Sequence, residues 1–268
     1  MADNSLAIAF SPCPNDTFIF HAMLHELVDT GSLTFRHHMD DIEALNKKAL
    51  LKTFPITKLS FFAYLKLKKY YEILDAGSAL GFGCGPLLIC KNRRIDLKTA
   101  KIAIPGELTT ANLLLKLWNP EVTNCVVKRF DNILSGVQSG EFDAGLIIHE
   151  SRFVYKNFGL KKIIDLGSWW EQETGYPIPL GCIVLKKENF LLKRKRKIES
   201  IIQNSVKYAF NNKEASAQFI KTHAQELDEK VIQEHINLYV NDFTVSLGRK
   251  GRQAIKILEE MATWKKIL

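Results

Sequence analysis

The stretch KIAIPGELTTANLLLKLW, residues 101–118, combines a short apolar run, a Pro-Gly turn and a helical pattern. It predicts a strand that turns sharply into a helix, because Pro105 and Gly106 interrupt the apolar run. Either Thr109 or Thr110 suits the first position of the helix, since a threonine hydroxyl accepts a hydrogen bond from the first turn. A strand leading directly into a helix is the repeating unit of α/β proteins.

The same unit recurs along the first part of the chain. LAIAF (6–10) predicts a buried strand, after which SPCPND turns the chain into a helix. LTFRHHM (33–39) predicts a second strand, and residues 40–52 predict a helix whose acidic start and basic end suit the helix dipole. ITKLSFFAYLKL (56–67) passes from strand to helix. This alternation predicts an α/β protein.

The pattern continues past residue 118 and then changes. VVKRF (126–130) predicts a strand, and the following segment predicts a helix closed by Gly140. DAGLIIHE (143–150) predicts a strand that ends in His149. From about Lys187 the chain is mostly helical, with helices predicted near 194–210, 213–223, 228–241 and 250–262.

Two segments predict crossings between two lobes. ALGFGCGPLLICK (79–91) and PIPLGCIVLKK (177–187) each carry glycine or proline followed by a strand-like run. The first lobe would then be discontinuous, formed by 1–90 and 187–268, with a second lobe, 91–186, inserted into it. We expect a ligand cleft between the lobes, since binding sites are common at domain interfaces.

Composition limits the classes of partner. The formal net charge of +8 favours anionic partners such as nucleic acid, an acidic membrane surface, or a carboxylate or phosphate ligand, although a soluble protein with many surface lysines fits at least as well. The densest basic run lies at 186–197, and within it Lys193–Lys197 predict the solvated start of a surface helix. Zinc-finger spacing and RNA-binding aromatic motifs are not found in the sequence, so nucleic acid is not expected as a partner.

The cysteine count and the apolar runs indicate the cellular compartment. Five cysteines without a CxxC pair fit a reducing compartment rather than a disulfide framework or a zinc site. We expect a cytoplasmic protein, because neither a signal peptide nor an apolar run of about 18 residues is visible. His21 and His25 lie four residues apart without a visible third ligand, so no metal site is predicted.

His149 is the strongest candidate for a catalytic residue. It closes an apolar strand, and in α/β sheets ligands lie beyond the carboxyl ends of strands. An imidazole there can act as a general base, although a hydrogen-bonded structural histidine fits the pattern equally well. Glu150 is not expected to orient His149, because neighbours on an extended strand point to opposite faces.

Two further positions are candidates for binding. Thr110 and Ala111 begin a helix after the Pro-Gly turn, and a helix start offers N–H groups to an anion, although an ordinary cap is the simpler interpretation. Lys58 and Ser60 lie at the matching place in the first lobe. Lys58 is suited to pair with a carboxylate and Ser60 to cap the next helix or bind ligand, while a surface lysine and a capping serine remain open.

Cys13 lies in the turn between the first strand and the first helix. Pro12 and Pro14 restrict this turn, and Asn15 or Asp16 is suited to cap the helix. The sequence shows no partner that would activate the thiol. We therefore expect a rigid wall of the cleft rather than a nucleophile.

Several motifs together resemble one enzyme family, the 1,4-dihydroxy-6-naphthoate synthases of the futalosine route to menaquinone. The similarity runs from about residue 8 to residue 255. The motifs that carry it are FSPCPNDTFIF, TKLSFFAY, GFGCGPLLI, IAIPGELTTANLLLKL, FDAGLIIHE, DLGSWWEQETGYPIPLG and HINLYVNDFTVSLGRKG. The resemblance implies a type II periplasmic-binding-protein-like fold, with two α/β lobes, two crossover strands and a cleft between them.

The resemblance also implies roles for residues. The LIIHE motif places the family's proton acceptor at His149. The TKLS and ELTTA motifs supply substrate contacts, listed here by position: Lys58, Leu59, Ser60, Thr110 and Ala111. The chain departs from the family at Pro55, where an acidic residue is usual, and this puts the local strand geometry in doubt.

The implied reaction is the conversion of cyclic dehypoxanthinylfutalosine, a small carboxylate, to 1,4-dihydroxy-6-naphthoate. Because it proceeds by proton abstraction and bond cleavage and gains aromaticity, we expect neither a metal nor a redox cofactor. The protein is expected to be a monomer or a weak homodimer.

Three alternatives share the fold. A non-catalytic solute-binding protein is usually exported, and no signal peptide is visible here. Chorismate dehydratase, the sister enzyme, is not expected to combine the SPCPND, ELTTA and IIHE motifs. The effector domain of a transcription regulator would need a helix-turn-helix segment before residue 6.

Overall fold

The computed structural model describes residues 4–92, 94–225 and 228–268, and within them the chain is an α/β protein. Its strands are β1 (Ser5–Phe10), β2 (Thr34–Met39), β3 (Ile56–Ser60), β4 (Tyr71–Ile73), β5 (Ala79–Gly81), β6 (Leu87–Cys90), β7 (Ile102–Ile104), β8 (Cys125–Val127), β9 (Ala144–Ile147), β10 (Lys161–Asp165) and β11 (Ile178–Lys186). The α/β alternation predicted from the sequence is confirmed.

The helices connect these strands and form most of the C-terminal part. They are α1 (Pro14–Leu24), α2 (Ile42–Leu50), α3 (Phe61–Leu67), α4 (Thr110–Trp118), α5 (Ile133–Ser139), α6 (Ser151–Val154), α7 (Leu166–Thr174), α8 (Asn189–Asn211), α9 (Ala217–His223), α10 (Glu229–Tyr239), α11 (Asp242–Val245) and α12 (Gly248–Trp264). Among the described residues no helix is both long and apolar enough to cross a membrane.

Two sheets organise the molecule. The first has the order β2-β1-β3-β11-β4, with β5 also paired to β11, and the second has the order β10-β6-β9-β7-β8. In the first sheet β1 runs parallel to β2 and β3, and in the second β7 runs parallel to β8 and β9. The carboxyl ends of these parallel strands therefore gather at one edge of each sheet, where ligand sites of α/β proteins form.

Sheet membership differs from the expected lobe limits in two places. Strand β6 belongs to the second sheet although the limit at residue 90 put it in the first lobe, and β11 belongs to the first sheet although the limit at residue 186 put it in the second. The sequence shows that both segments are strand-like, but the choice of partner strand depends on tertiary packing. As a proposal, the lobe limits then fall in the connections 82–86 and 166–177.

Two predicted strands in the second sheet are too long. Strand β9 ends at Ile147, so His149 lies two residues beyond it with a backbone φ of 56°. Strand β8 ends at Val127, and Phe130 begins a 3-10 turn. In both places the polar or aromatic residue that follows the strand lies outside the hydrogen-bonded ladder.

Pro55 does not disturb the first sheet. It directly precedes β3, and its carbonyl oxygen accepts a hydrogen bond from the Lys186 N–H at 2.8 Å. Ile56, the next residue, pairs with Ile8 on one side and Leu185 on the other. The missing N–H of the proline therefore falls outside the ladder, and the doubt about strand geometry is removed.

Helix α4 joins the two lobes through apolar packing. Its Leu113 and Leu114 belong to one buried cluster with Leu59 of β3 and Val184 of β11. A separate cluster, which includes Ile8 of β1, packs α1 and α8 against the opposite face of the first sheet. Because the α4 cluster contains residues of both sheets, the start of α4 is held against the first lobe.

A buried carboxylate reinforces this junction. Glu43 of α2 accepts hydrogen bonds from the N–H groups of Glu107 at 3.0 Å and Leu108 at 3.2 Å, in the loop that leads into α4. Glu43 is 4% exposed, and burial raises the pKa of its carboxyl. Gly106 makes the approach possible, since a Cβ there would lie 2.3 Å from the Glu43 Cδ.

Replacing Glu43 should weaken the junction. Glu43→Gln keeps one oxygen acceptor but turns the other into a donor facing an N–H group, so we expect the free energy of unfolding to fall by about 1–3 kcal/mol. Urea denaturation followed by circular dichroism measures this change. The matched control is Glu141→Gln, which alters an exposed ion pair with Lys128 and should cost less than about 0.5 kcal/mol. Equal losses in the two variants would contradict the role of Glu43.

Candidate active site

A cavity lies at the facing edges of the two sheets. Residues of both lobes line it, and they include five of the six residues expected at the site: Lys58, Ser60, Thr110, Ala111 and His149. Leu59 does not line it. Its side chain is fully buried in the apolar cluster around α4, because alternate residues of β3 point to opposite faces.

His149 is held in an unusual backbone conformation. Its positive φ of 56° is uncommon for a residue other than glycine, and such conformations concentrate at functional sites. The ring packs edge-on against Phe130, with 5.0 Å between centroids. Strand β9 stops before His149, so the turn rather than the strand orients the imidazole.

The His149 imidazole is neutral at physiological pH. Burial, with a smaller contribution from the positive charge of Lys58, lowers its pKa to about 3. Its Nε2 has no hydrogen-bond partner among the described residues. A half-buried, neutral imidazole with an unused ring nitrogen can accept a proton without first having to lose one.

Cys13 is a close neighbour of His149 that sequence reasoning missed. The Cys13 Sγ lies 3.4 Å from the His149 Nδ1, across 136 residues of sequence. Burial raises the pKa of the Cys13 thiol well above its usual value, which fits the expectation that it is not a nucleophile. The Pro-Cys-Pro turn signals a rigid loop, but no local pattern could indicate which residue that loop faces.

Glu150 also lies close to His149, against expectation. The ligand-type atoms of Cys13, His149 and Glu150 all lie within 4.8 Å of one another. The prediction that His149 and Glu150 point apart was wrong because it assumed an extended strand, whereas both residues follow the end of β9.

His235, on α10, lies behind the His149 ring. The two rings are stacked, with 6.2 Å between centroids and an interplanar angle of 15°. His235 is fully buried, and its Nε2 is 2.9 Å from the Asn15 Oδ1. The HINLYV pattern places His235 on an amphipathic helix, but helical spacing alone does not separate it from a core residue.

Lys58 is paired within the protein. Its ammonium group forms an ion pair with Asp16 of α1, and both side chains are nearly inaccessible to solvent. The same carboxylate accepts hydrogen bonds from the Ser11 Oγ at 2.6 Å and the Asn15 Nδ2 at 2.9 Å. The Lys58 ammonium is thus balanced by Asp16, a partner that the sequence did not indicate, and a contact between Lys58 and the substrate stays a prediction.

Ser60 does not cap α3 with its side chain, although it occupies the first position of that helix. Its Oγ instead accepts a hydrogen bond from the Asn46 Nδ2 at 3.1 Å, and its N–H donates to the Asn46 Oδ1 at 3.0 Å. The hydroxyl proton of Ser60 is not used in these two contacts, so it can donate to a ligand in the cavity.

Two threonines at the start of α4 make different hydrogen bonds. Thr109 caps the helix, accepting a hydrogen bond from the Asn112 N–H at 3.2 Å. The Thr110 hydroxyl joins the lobes, because it donates to the Leu180 carbonyl at 2.7 Å and accepts from the Phe62 N–H at 3.3 Å. The first N–H groups of a helix have no acceptor within the helix, which makes this start a donor site at the cavity wall.

The two histidines considered as metal ligands lie elsewhere. His21 and His25 of α1 stack with 4.3 Å between centroids and pack against Phe219. Burial and the neighbouring His25 lower the pKa of His21. Both imidazole rings therefore pack against other aromatic side chains.

The cavity therefore combines one base and several donors. The neutral His149 lies on the second lobe together with the donors of the α4 start, and Ser60 faces them from the first lobe. Such a set can bind an anionic group and remove a proton from a molecule held beside it.

Comparison with known proteins identifies relatives over nearly the whole chain. The family model described as "Menaquinone biosynthesis" matches residues 6–263. A protein of Thermus thermophilus named "1,4-dihydroxy-6-naphtoate synthase" is 41% identical over 253 residues, which cover 94% of this chain and 91% of that protein. A protein of the same name from Streptomyces coelicolor is 39% identical over 261 residues, covering 96% of this chain and 92% of that one.

Solved structures agree on the architecture. A crystal structure of an Archaeoglobus fulgidus protein superposes with a TM-score of 0.94 at 35% identity and covers 100% of both chains. A Candida albicans protein described as having the generic periplasmic binding protein fold superposes with a TM-score of 0.70 at 13% identity, over 98% of this chain and 90% of that one. The second likeness shows the fold alone, and it confirms the two-lobe periplasmic-binding-protein-like fold predicted above.

The similarity covers the described strands, the cavity and most of the C-terminal helices. Two curated relatives exceed one third identity over more than nine tenths of the chain. The resemblance found in the sequence motifs is thus confirmed, and the chain belongs to the menaquinone biosynthesis family.

Proposed function

We propose that this protein is a 1,4-dihydroxy-6-naphthoate synthase, a lyase that acts on cyclic dehypoxanthinylfutalosine with His149 as the general base. The observation that carries the mechanistic part is the half-buried, neutral His149 imidazole at the wall of a cavity lined by both lobes. The names of the curated relatives support the reaction.

The contact with Cys13 bears on which nitrogen acts as the base. A neutral imidazole carries a single proton. If that proton is on Nδ1, it points to the Cys13 Sγ at 3.4 Å and leaves a lone pair on Nε2, the ring nitrogen without a partner among the described residues. Cys13 would then be a positioning residue that holds His149 in the tautomer needed for proton abstraction.

The donors across the cavity suit the carboxylate of the substrate. The N–H groups of Thr110 and Ala111 lie at the start of α4, where the helix dipole favours an anion. The Ser60 hydroxyl can add a third hydrogen bond. Lys58 contributes positive potential, although its charge is largely balanced by Asp16.

The bond changes follow from the chemistry of the substrate. Opening of its sugar-derived ring exposes a carbonyl group, which acidifies a neighbouring C–H bond. His149 takes that proton, the electron pair of the broken C–H bond drives cleavage of the bond to the sugar-derived fragment, and the departing fragment leaves an aromatic naphthoate. Contact between the lobes excludes water and holds the reactive conformer.

The described cysteines are free thiols, which fits a protein of the reducing cytoplasm. A monomer or a weak homodimer stays a prediction.

Removing the imidazole should abolish most of the activity. A positioned general base accelerates proton transfer by about 10²–10⁴-fold, so we expect His149→Ala to lower kcat at least ~100-fold. Release of dihydroxynaphthoate from cyclic dehypoxanthinylfutalosine, without added cofactor, measures kcat. The control is His25→Ala, which removes an exposed imidazole and should keep kcat within a factor of about two. A near-normal kcat in folded His149→Ala protein would show that His149 is not the base. If the wild-type protein did not turn over the substrate, the solute-binding protein would be favoured instead.

The Thr110 hydroxyl should matter for substrate binding through the lobe junction. Thr110→Val removes both of its hydrogen bonds to the first lobe and leaves the Leu180 carbonyl without this donor, so we expect KM to rise by about tenfold. Thr110→Ser keeps the hydroxyl and should stay near the wild-type KM. Steady-state kinetics of both variants decide, and an equal KM in the two would show that the hydroxyl is not needed.

The pH dependence of kcat/KM should lack the acidic decrease that a catalytic histidine with an ordinary pKa produces. The base acts when neutral, and activity would fall only as the pH drops through the pKa of about 3 in the free enzyme. We therefore expect kcat/KM to show no acidic limb between about pH 5 and 8, where an unperturbed histidine titrates near ~6.5. A limb near 6.5 in the wild-type profile would contradict the strong effect of burial on His149.

A further inference from the structure

Three side chains from both lobes meet behind the cavity wall. Cys13 comes from the first lobe, and His149 and Glu150 come from the second. Their sulfur, nitrogen and carboxylate oxygen atoms all lie within 4.8 Å of one another, and Cys13 and Glu150 are buried. Of the three, His149 is the one that lines the cavity.

The geometry of this cluster matches a known class of metal site. Zinc binds sulfur at about 2.3 Å and imidazole nitrogen at about 2.0–2.1 Å, so in a tetrahedral site the two ligand atoms lie about 3.5 Å apart. The Cys13 Sγ and the His149 Nδ1 are 3.4 Å apart. The spacing of these two atoms therefore matches that of two ligands of one ion.

His235 supplies a second, independent observation that points to a cation site. The Asn15 Nδ2 donates to Asp16, so the Asn15 Oδ1 faces His235 and fixes a proton on the His235 Nε2. In the neutral ring the His235 Nδ1 is then an acceptor. It is buried, has no hydrogen-bond partner among the described residues, and lies 4.0 Å from the Glu150 Oε1. A buried acceptor without a partner, with a carboxylate oxygen 4.0 Å away, favours a cation bound by both groups.

The chemistry of the donor set selects the ion. Thiolate and imidazole ligands favour zinc and similar ions over magnesium and calcium, which prefer oxygen. A divalent ion bound by the Cys13 thiolate, the Glu150 carboxylate and two neutral imidazoles forms a site without net charge, which limits the cost of burying it. Lys58 lies near His149, but its charge is balanced by the ion pair with Asp16.

We propose that Cys13, His149, Glu150 and His235 form a binding site for a zinc-class divalent ion, and that occupancy of this site inhibits the enzyme. An imidazole that coordinates through Nδ1 keeps its only proton on Nε2, so it has no lone pair with which to take a proton from the substrate. The ion would also tie residues of both lobes together. The inhibitory part rests on the proposed role of His149 as the base, whereas the binding part does not.

Cobalt substitution tests binding without reference to activity. The protein would carry Cys125→Ser throughout, because Cys125 is a partly exposed thiol that could capture the metal adventitiously. Titration with Co²⁺ should give one ion per chain, a thiolate-to-cobalt charge-transfer band in the near ultraviolet and the visible spectrum of a tetrahedral site. Cys13→Ser should remove the charge-transfer band, and His235→Gln should weaken binding about 10-fold or more.

A control variant and a second measurement test whether the proposed residues bind the ion. Cys84→Ser, which changes another buried thiol, should leave the cobalt spectrum unchanged. X-ray absorption at the zinc edge of the zinc-loaded Cys125→Ser protein, with no change in the cluster, should show one sulfur and about three lighter ligands. A shell of nitrogen and oxygen alone, or a charge-transfer band that survives Cys13→Ser, would overturn the site.

Inhibition is then measured separately. Zn²⁺ should suppress turnover of the Cys125→Ser protein at the concentration that fills the site, and a chelator should restore it. Cys13→Ser should need at least about 10-fold more Zn²⁺ for the same inhibition. If His149→Ala keeps full activity while the cobalt spectrum depends on Cys13, the base role fails and the metal site stands. If His149→Ala is inactive and no thiolate–cobalt band forms, the metal site fails and the base role stands.

Discussion

The buried ion pair between Lys58 and Asp16 is the interaction on which the site depends. It ties β3 to the start of α1, and Asp16 in turn binds Ser11 and Asn15 in the adjoining turn. Removing one partner of such a pair leaves an uncompensated buried charge, at a cost of about 3–5 kcal/mol. The pair therefore fixes the loop that carries Cys13. Through that loop it also fixes the surroundings of His149, which Cys13 contacts.

A second constraint is the junction at the start of α4. Apolar packing, the Thr110 hydroxyl and the Glu43 carboxylate hold this helix start against the first lobe. The polar contacts use backbone groups of the loop and of β11, so they depend on backbone position more than on side-chain identity. The donors of the helix start are thereby presented to the cavity from a rigid support, which is what binding a carboxylate in a fixed orientation requires.

Burial gives His149 its chemical character. In water an imidazole is partly protonated near neutral pH, whereas in this wall desolvation disfavours the charged form and lowers the pKa to about 3. In the proposed role of base, His149 would be neutral throughout the physiological pH range, but its protonated form would not be stabilised by its surroundings. A developing negative charge on the substrate would offset that cost during the reaction. The same packing brings His149 against Cys13, Glu150 and His235, the residues proposed as metal ligands.

The sequence by itself determined the order of strands and helices and the residues that follow strand ends, because the period of apolar residues and the turn chemistry are local properties. It thereby located His149, Ser60 and the α4 start, which meet at one cavity. Only the tertiary structure decided that β6 joins the second sheet and β11 the first, and that Cys13 and His235 lie beside His149. Pairing between distant segments depends on how whole faces pack together, and no local pattern encodes which residue lies across a gap of 136 positions.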